Sequence, residues 1–324
     1  MDQLPPLGKD IRDVILPTLK IYDPLLRKNA DKIRSIKKET HSYGPSERQQ
    51  LDAYHAAKPR LINGRQAVLV FLYGGGLVNG HKVLPGYADD LCHANVAAFF
   101  ASHYGYNVVV PDYRLVNSHD AKFPSGGEDV ALAVEWVFEN AGTFGPEPID
   151  LFIMGNSAGG VHLSTFLLHP DSATARAKVL NGSGVRLRGA ILLSVPFNFD
   201  YSHPSRAEVL NTYFGNHKAF SPQGLLKTAQ NQGSIDFIQA GVRAFILDAE
   251  LDPEDEILQT RDDFIKQWML DTSKENRGAL AVDWMPRQNH ISPFCSLSTG
   301  LEEEEAWGHQ VGAFCDNIRK FRPS

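Results

Sequence analysis

Cysteine is scarce in this chain: Cys92, Cys295 and Cys315 are the only three in 324 residues. They are too few and too scattered for a disulfide framework or a cysteine-based zinc site, and the odd number fits a reducing compartment, with cytoplasm as the expected location. No run approaches the ~18 apolar residues of a membrane span. The N-terminus, Met1-Asp2-Gln3-Leu4-Pro5-Pro6, has no basic segment followed by an apolar one, so no secretory signal is expected. Positive charge is not in excess either. Lys and Arg number 32 against 38 Asp and Glu, and the net charge of −6 argues against nucleic acid or an anionic membrane surface as partner. No spacing of His, Cys and carboxylates suggests a metal, and no cofactor is expected. Internal repeats and low-complexity stretches are absent. A homodimer is left open.

What remains is an ordinary globular composition, 43% hydrophobic and 22% charged. Apolar runs at Ala67–Tyr73, Tyr106–Pro111, Ile149–Met154, Gly189–Val195, Val242–Leu247 and Leu280–Met285 read as strands buried on both faces. Helical patterns lie between and after them, at Gly86–His103, Gly127–Ala141, Ala158–His169, Glu254–Leu270 and Glu302–Phe321. The alternation predicts an α/β fold, a mostly parallel doubly wound sheet with helices on both faces and right-handed crossovers. Antiparallel opening strands are expected around Thr40–Tyr43 and Gln49–Tyr54. Two segments stand outside the alternation: the helical, charge-mixed stretch of about Met1–Thr40, and the aromatic-rich excursion Phe197–Gly241. Long excursions at the carboxyl ends of sheet strands shape ligand crevices, so both are expected to form one helical cap on a single domain spanning 1–324.

The strand Ile149–Met154 runs into Gly155-Asn156-Ser157-Ala158-Gly159-Gly160. G-x-S-x-G at a strand-to-helix junction is the setting in which a serine becomes an exposed nucleophile. Small residues flank the sharp turn, and the following helix points its N-terminal N–H groups and positive dipole end at Ser157. One βα unit earlier, Ala67–Tyr73 runs into Gly74-Gly75-Gly76. Three glycines at a strand end suit a loop whose backbone N–H groups face a developing anion with no Cβ in the way. A base should follow the last strand if the order is serine, acid, histidine, and His290 lies there. His309 falls within the C-terminal helix pattern, and His162 and His169 on the helix after Ser157. The acid belongs after the strand that follows the excursion, where Asp248, Glu250, Asp252, Glu254, Asp255 and Glu256 crowd together.

Taken together, Y-G-G-G, then P-D-Y-R-L at Pro111–Leu115, then G-N-S-A-G-G resemble the α/β-hydrolase superfamily, in particular its hormone-sensitive-lipase-like and type-B carboxylesterase branches. The resemblance covers about Tyr43 to the C-terminus. It implies that the N–H groups of Gly75, Gly76 and Ala158 form an oxyanion hole. It also favours Asp252 as the acid, through Leu251-Asp252-Pro253 followed by Asp255-Glu256, with Glu250 as runner-up. Tyr73 departs from the lipase-like branch, which has His there, and matches the cholinesterase-like one. Asp112-Tyr113-Arg114 carries no obvious chemistry, and Arg114 is expected to be a structural ion-pair partner. The implied activity is a serine hydrolase cleaving small-molecule carboxylic esters of small to medium acyl chain through an acyl-enzyme, with Ser157, His290 and Asp252 as triad. An amidase or arylformamidase, a lactonase or an acyltransferase would use the same triad; Asn289-His290-Ile291 resembles the histidine segment of some arylformamidase-like hydrolases. A non-catalytic receptor on this fold is the reading furthest from these residues.

Overall fold

The computed structural model describes residues 2–233, 235–270 and 277–321; Met1 and Ser234, within the two expected cap segments, lie outside the described residues. Eight strands form one sheet: β1 (Lys37–Ser42), β2 (Gln50–His55), β3 (Gln66–Leu72), β4 (Asn107–Pro111), β5 (Ile149–Asn156), β6 (Val185–Leu193), β7 (Arg243–Leu251) and β8 (Leu280–Asn289). Their spatial order is β1-β2-β4-β3-β5-β6-β7-β8. The β1–β2 and β2–β4 pairs are antiparallel, and every later pair is parallel.

The period of two along each strand feeds two separate cores. From β3, Val68, Val70 and Leu72 enter one apolar cluster and Ala67, Leu69 and Phe71 the other. Helices Ser125–Glu139 and Ala158–Leu168 cover the first face, through Val130, Val134, Leu163 and Phe166. Helices Ala94–Tyr104 and Glu302–Lys320 cover the second, through Phe99, Phe100, Trp307 and Val311. Each such side chain contributes about 1.5–3 kcal/mol on burial, which is why the central strands read as unbroken apolar runs.

Three local expectations need correction. Leu280–Met285 is not buried on both faces: β8 is the sheet edge, and Val282 and Trp284 are exposed. A helix starting at Gly86 does not form; the chain is irregular to His93, with positive φ at Ala88, Asp89, Asp90 and His93, and the helix opens at Ala94. β6 starts at Val185 rather than Gly189, because Arg186 and Arg188 alternate outward while Val185 and Leu187 point into the core.

The N-terminal helix Ile11–Lys28 begins on Asp10, whose carboxylate accepts the Arg12 N–H at 2.9 Å. It buries Val14, Thr18, Tyr22 and Leu26, a stripe at intervals of four. Tyr22 donates to Glu304 Oε2 at 2.5 Å, tying this helix to the last one. Helices Ala207–Phe214 and Pro222–Asn231 are the two longest described elements of the excursion after β6. Its aromatic residues largely pack on one another and on the domain, as in Phe199 with Phe214 and Phe220 with Phe123.

Candidate active site

Strand register assembles the site. Leu72 pairs with Gly155, so the glycine loop leaves β3 beside the turn that ends β5. A Cβ built on Gly74 would stand 3.2 Å from Ser157 Cβ. Leu251 pairs with Asn289, which brings the loop after β7 against the loop after β8.

Ser157 occupies the turn at φ +51° and ψ −118°, a conformation that costs of order 1–3 kcal/mol and is held by its surroundings. Its N–H donates to Leu193 O at 2.9 Å. Gly159 is required by close approach, since a Cβ there would fall 2.2 Å from Leu72 O. The Ser157 hydroxyl lies 3.0 Å from His290 Nε2, and His290 Nδ1 lies 2.7 Å from Asp252 Oδ1. Asp252 is fully buried, and its Oδ2 accepts from Ser194 Oγ at 2.6 Å and from Ala249 N at 2.8 Å. With an unprotonated Nε2 toward the serine and Nδ1–H on the carboxylate, this line can take up the hydroxyl proton as the oxygen attacks.

Gly75 and Gly76 line the same cavity as Ser157, and Ala158 follows that serine in the chain. Among the described residues no hydrogen bond uses the N–H of Gly75, Gly76 or Ala158. Gly75 and Gly76 are half-buried and Ala158 is buried, and three N–H groups free of an acceptor in this region suit an oxyanion. Gly75 sits at φ +141°, and a Cβ there would come within 2.0 Å of Asn79 O; Gly76 sits at φ +64°. A cavity of about 470 Å³ opens over these groups. Ile11, Ile15 and Leu19 of the N-terminal helix line it, as do Ser205, Arg206 and Val209 of the excursion.

A family model described as BD-FAE matches residues 51–179. Over 126 residues the chain is 31% identical to acetylcholinesterase from Leptinotarsa decemlineata, a match covering 36% of this chain and 19% of that enzyme. Over 129 residues it is 32% identical to liver carboxylesterase from Sus scrofa, covering 40% and 22%. The matched stretch is thus about a fifth of the length of these relatives. Among solved structures, an esterase from Pyrobaculum calidifontis superposes with a TM-score of 0.62 at 20% identity, covering 96% of this chain and 94% of that one. Esterase B from Lactobacillus rhamnosis gives 0.64 at 16% identity, covering 94% and 96%. The chain has the α/β-hydrolase fold.

In this α/β-hydrolase fold the other acidic candidates lie elsewhere. Glu250 is exposed on β7 and accepts the Arg287 N–H at 2.7 Å. Asp248 is fully buried inside β7, facing Arg261 at 3.5 Å; burial, reinforced by the nearby Asp252 charge, raises its pKa well above the ordinary carboxylate value. Glu254, Asp255 and Glu256 fall in the first turn after Pro253. His309 contacts Tyr104, and His162 is buried beneath the helix Ser125–Glu139, where a Cβ on Gly126 would overlap its ring. Arg114 pairs with Asp129 and Glu128.

The residues around Asp112 were missed as part of the site. Tyr73 donates to Asp112 Oδ1 at 2.6 Å and accepts from Arg48 Nη2 at 2.8 Å. Arg48 also reaches Gly80 O, and Tyr113 donates to Tyr73 O at 2.8 Å. Together they clamp both ends of the glycine loop. The motif position one strand away from the loop was the available signal. Asn289 was missed too: its Nδ2 donates to Thr18 Oγ1 at 2.8 Å, and its Oδ1 accepts from the N–H groups of Ile291 and Ser292 at 3.0 Å. The N-terminal helix is therefore bonded directly to the histidine loop.

Proposed function

We propose that this α/β-hydrolase cleaves carboxylic esters of small to medium acyl chain through an acyl-enzyme on Ser157. The unbroken hydrogen-bonded line from Ser157 through His290 to Asp252 carries the reading. His290 Nε2 accepts the hydroxyl proton while Ser157 Oγ bonds to the acyl carbon, and Asp252 stabilises the resulting imidazolium. The carbonyl oxygen becomes an oxyanion facing the N–H groups of Gly75, Gly76 and Ala158. Collapse breaks the ester C–O bond, and His290 returns the proton to the departing alkoxide. Water then adds to the acyl-enzyme with His290 again as base, releasing acid and free serine.

The apolar cavity of about 470 Å³ supports short and medium acyl chains. Its two walls come from the N-terminal helix and the excursion after β6, which supports both segments acting as one cap. No helix among the described residues is long and apolar enough to cross a membrane. The reading is tested with a fluorophosphonate probe and p-nitrophenyl esters of increasing acyl length. Ser157-dependent labelling is expected, with turnover from acetyl to hexanoyl and a fall for long chains. Absence of both labelling and turnover would overturn it.

A further inference from the structure

We propose that Arg206 anchors a carboxylate carried by the substrate, so that the preferred esters bear an anionic group a few atoms from the scissile bond. The inference rests on the Ser157 hydrolase reading and narrows its substrate class.

Arg206 stands at the start of the helix Ala207–Phe214, in the wall of the cavity over Ser157. The guanidinium lies against the glycine loop: a Cβ built on Gly76 would be 3.3 Å from its Nη1. Its one side-chain hydrogen bond among the described residues runs from Nη2 to Gly76 O at 3.2 Å. A guanidinium has five N–H donors, so four are left for something else.

Its surroundings make that incomplete pairing informative. Ile15, Leu19, Val78, Val209 and Phe294 share the cavity wall, and no described carboxylate forms an ion pair with Arg206. Burial lowers its pKa from the ordinary value, which records the penalty on a partly desolvated cation. Glu256 is the acid that acts on it electrostatically, but that carboxylate accepts the His203 N–H at 2.6 Å. The other arginine in the wall, Arg12, is already paired with Asp10. Holding a half-buried cation at an apolar wall with no carboxylate in contact costs stability, and the fold gains only one bond to a carbonyl in return. A substrate carboxylate would take the free fork in two parallel bonds. Because the guanidinium touches the glycine whose N–H faces the oxyanion, that carboxylate would bind only a few atoms from the reacting carbonyl.

The test compares monomethyl glutarate with methyl valerate, and 4-acetoxybutyrate with butyl acetate, by pH-stat. Each pair matches length and differs in one carboxylate, placed on the acyl or the alcohol side. In the wild-type enzyme kcat/KM should favour the anionic member of at least one pair. Arg206→Gln should lower that preference about tenfold or more, and Arg206→Lys should restore part of it. A preference unchanged within about twofold in Arg206→Gln, for both pairs, would overturn the proposal. The ratio within one variant cancels any loss of folded enzyme. Glutarate binding to Ser157→Ala, by calorimetry, separates this inference from the reaction itself. Binding that disappears in Ser157→Ala/Arg206→Gln supports the anchor even if no ester is cleaved. Ester cleavage with no anionic preference sinks the anchor and leaves the hydrolase standing.

Discussion

Ser194 Oγ donates a 2.6 Å hydrogen bond to Asp252 Oδ2, the carboxylate oxygen turned away from His290. Ser194 ends the run after β6 and Asp252 follows β7, so neighbouring parallel strands fix the acid's rotation. On the proposed mechanism Ser194 acts as a positioning residue. Ser194→Ala should lower kcat about tenfold, the loss of one bond that orients a buried charge. KM for a short p-nitrophenyl ester should stay within about twofold, because substrate does not touch this bond. Steady-state kinetics check the split; a KM effect with kcat intact would contradict the role.

Replacing Asp252 by Asn should reduce kcat by roughly 10³–10⁴, since the amide no longer holds the tautomer or the imidazolium charge. Glu250→Gln should leave kcat within about threefold. Its carboxylate is exposed and faces the Arg287 N–H, so only a loop contact is lost. The same ester assay on both variants decides between the two acids.

Gly75→Ala should cost activity without unfolding the sheet. At φ +141° a side chain is strained, and its Cβ would come within 2.0 Å of Asn79 O, so the loop must move. Losing one oxyanion donor raises the barrier by about 2.7–4 kcal/mol, a fall in kcat of ~10²–10³. Circular dichroism should show the native fold, while fluorophosphonate labelling slows in parallel with turnover.

Tyr73→Phe removes the hydroxyl that bridges Asp112 and Arg48. The loop keeps its glycines but loses one clamp, and Asp112 keeps the Lys82 N–H at 2.5 Å. A fall in kcat of about three- to tenfold is expected, with a smaller change in melting temperature than a core truncation would give. Kinetics beside a thermal melt test this directly.

His162 gives a pH dependence of stability. Burial pushes its pKa down from 6.5 to about 3, and its Nε2 has no hydrogen-bond partner. The unfolded chain therefore takes up a proton near pH 6.5 while the folded protein does not. The stability tied to neutral His162 is present above pH 6.5 and is lost as pH falls toward 3. At pH 5 the loss from this one group is about 2 kcal/mol. Urea unfolding at pH 7 and pH 5 should show a gap between the two conditions that is smaller by about this amount in His162→Gln. An identical gap in both proteins would refute the assignment.

Local sequence was enough for the strands of the sheet centre, because two-sided burial imposes unbroken apolar runs such as those of β3 and β5. It failed at the margins. Val185–Arg188 alternates because Arg188 pairs with Asp150, so the pattern no longer looked like a buried strand. β8 is the sheet edge, and its apolar Val282 and Trp284 stay exposed there. The residues at Ala88–Asp90 adopt positive φ, which composition does not announce.

The turn at Ser157 and the glycine loop were legible in the chain itself, for each depends on small residues within one short segment. Backbone proximity there is local, and only glycine allows it. Asp252, His290, Ser194, Arg206 and the Thr18–Asn289 bond belong to a different kind of information. They come from segments up to 271 residues apart and meet only because parallel register sets Leu251 beside Asn289 and Leu72 beside Gly155. Hydrogen bonds act over about 3 Å, whereas sequence spacing constrains position only within an element. The chain therefore named the kind of reaction it could support, and the folded sheet decided which acid faces the histidine and which cation lines the cavity over Ser157.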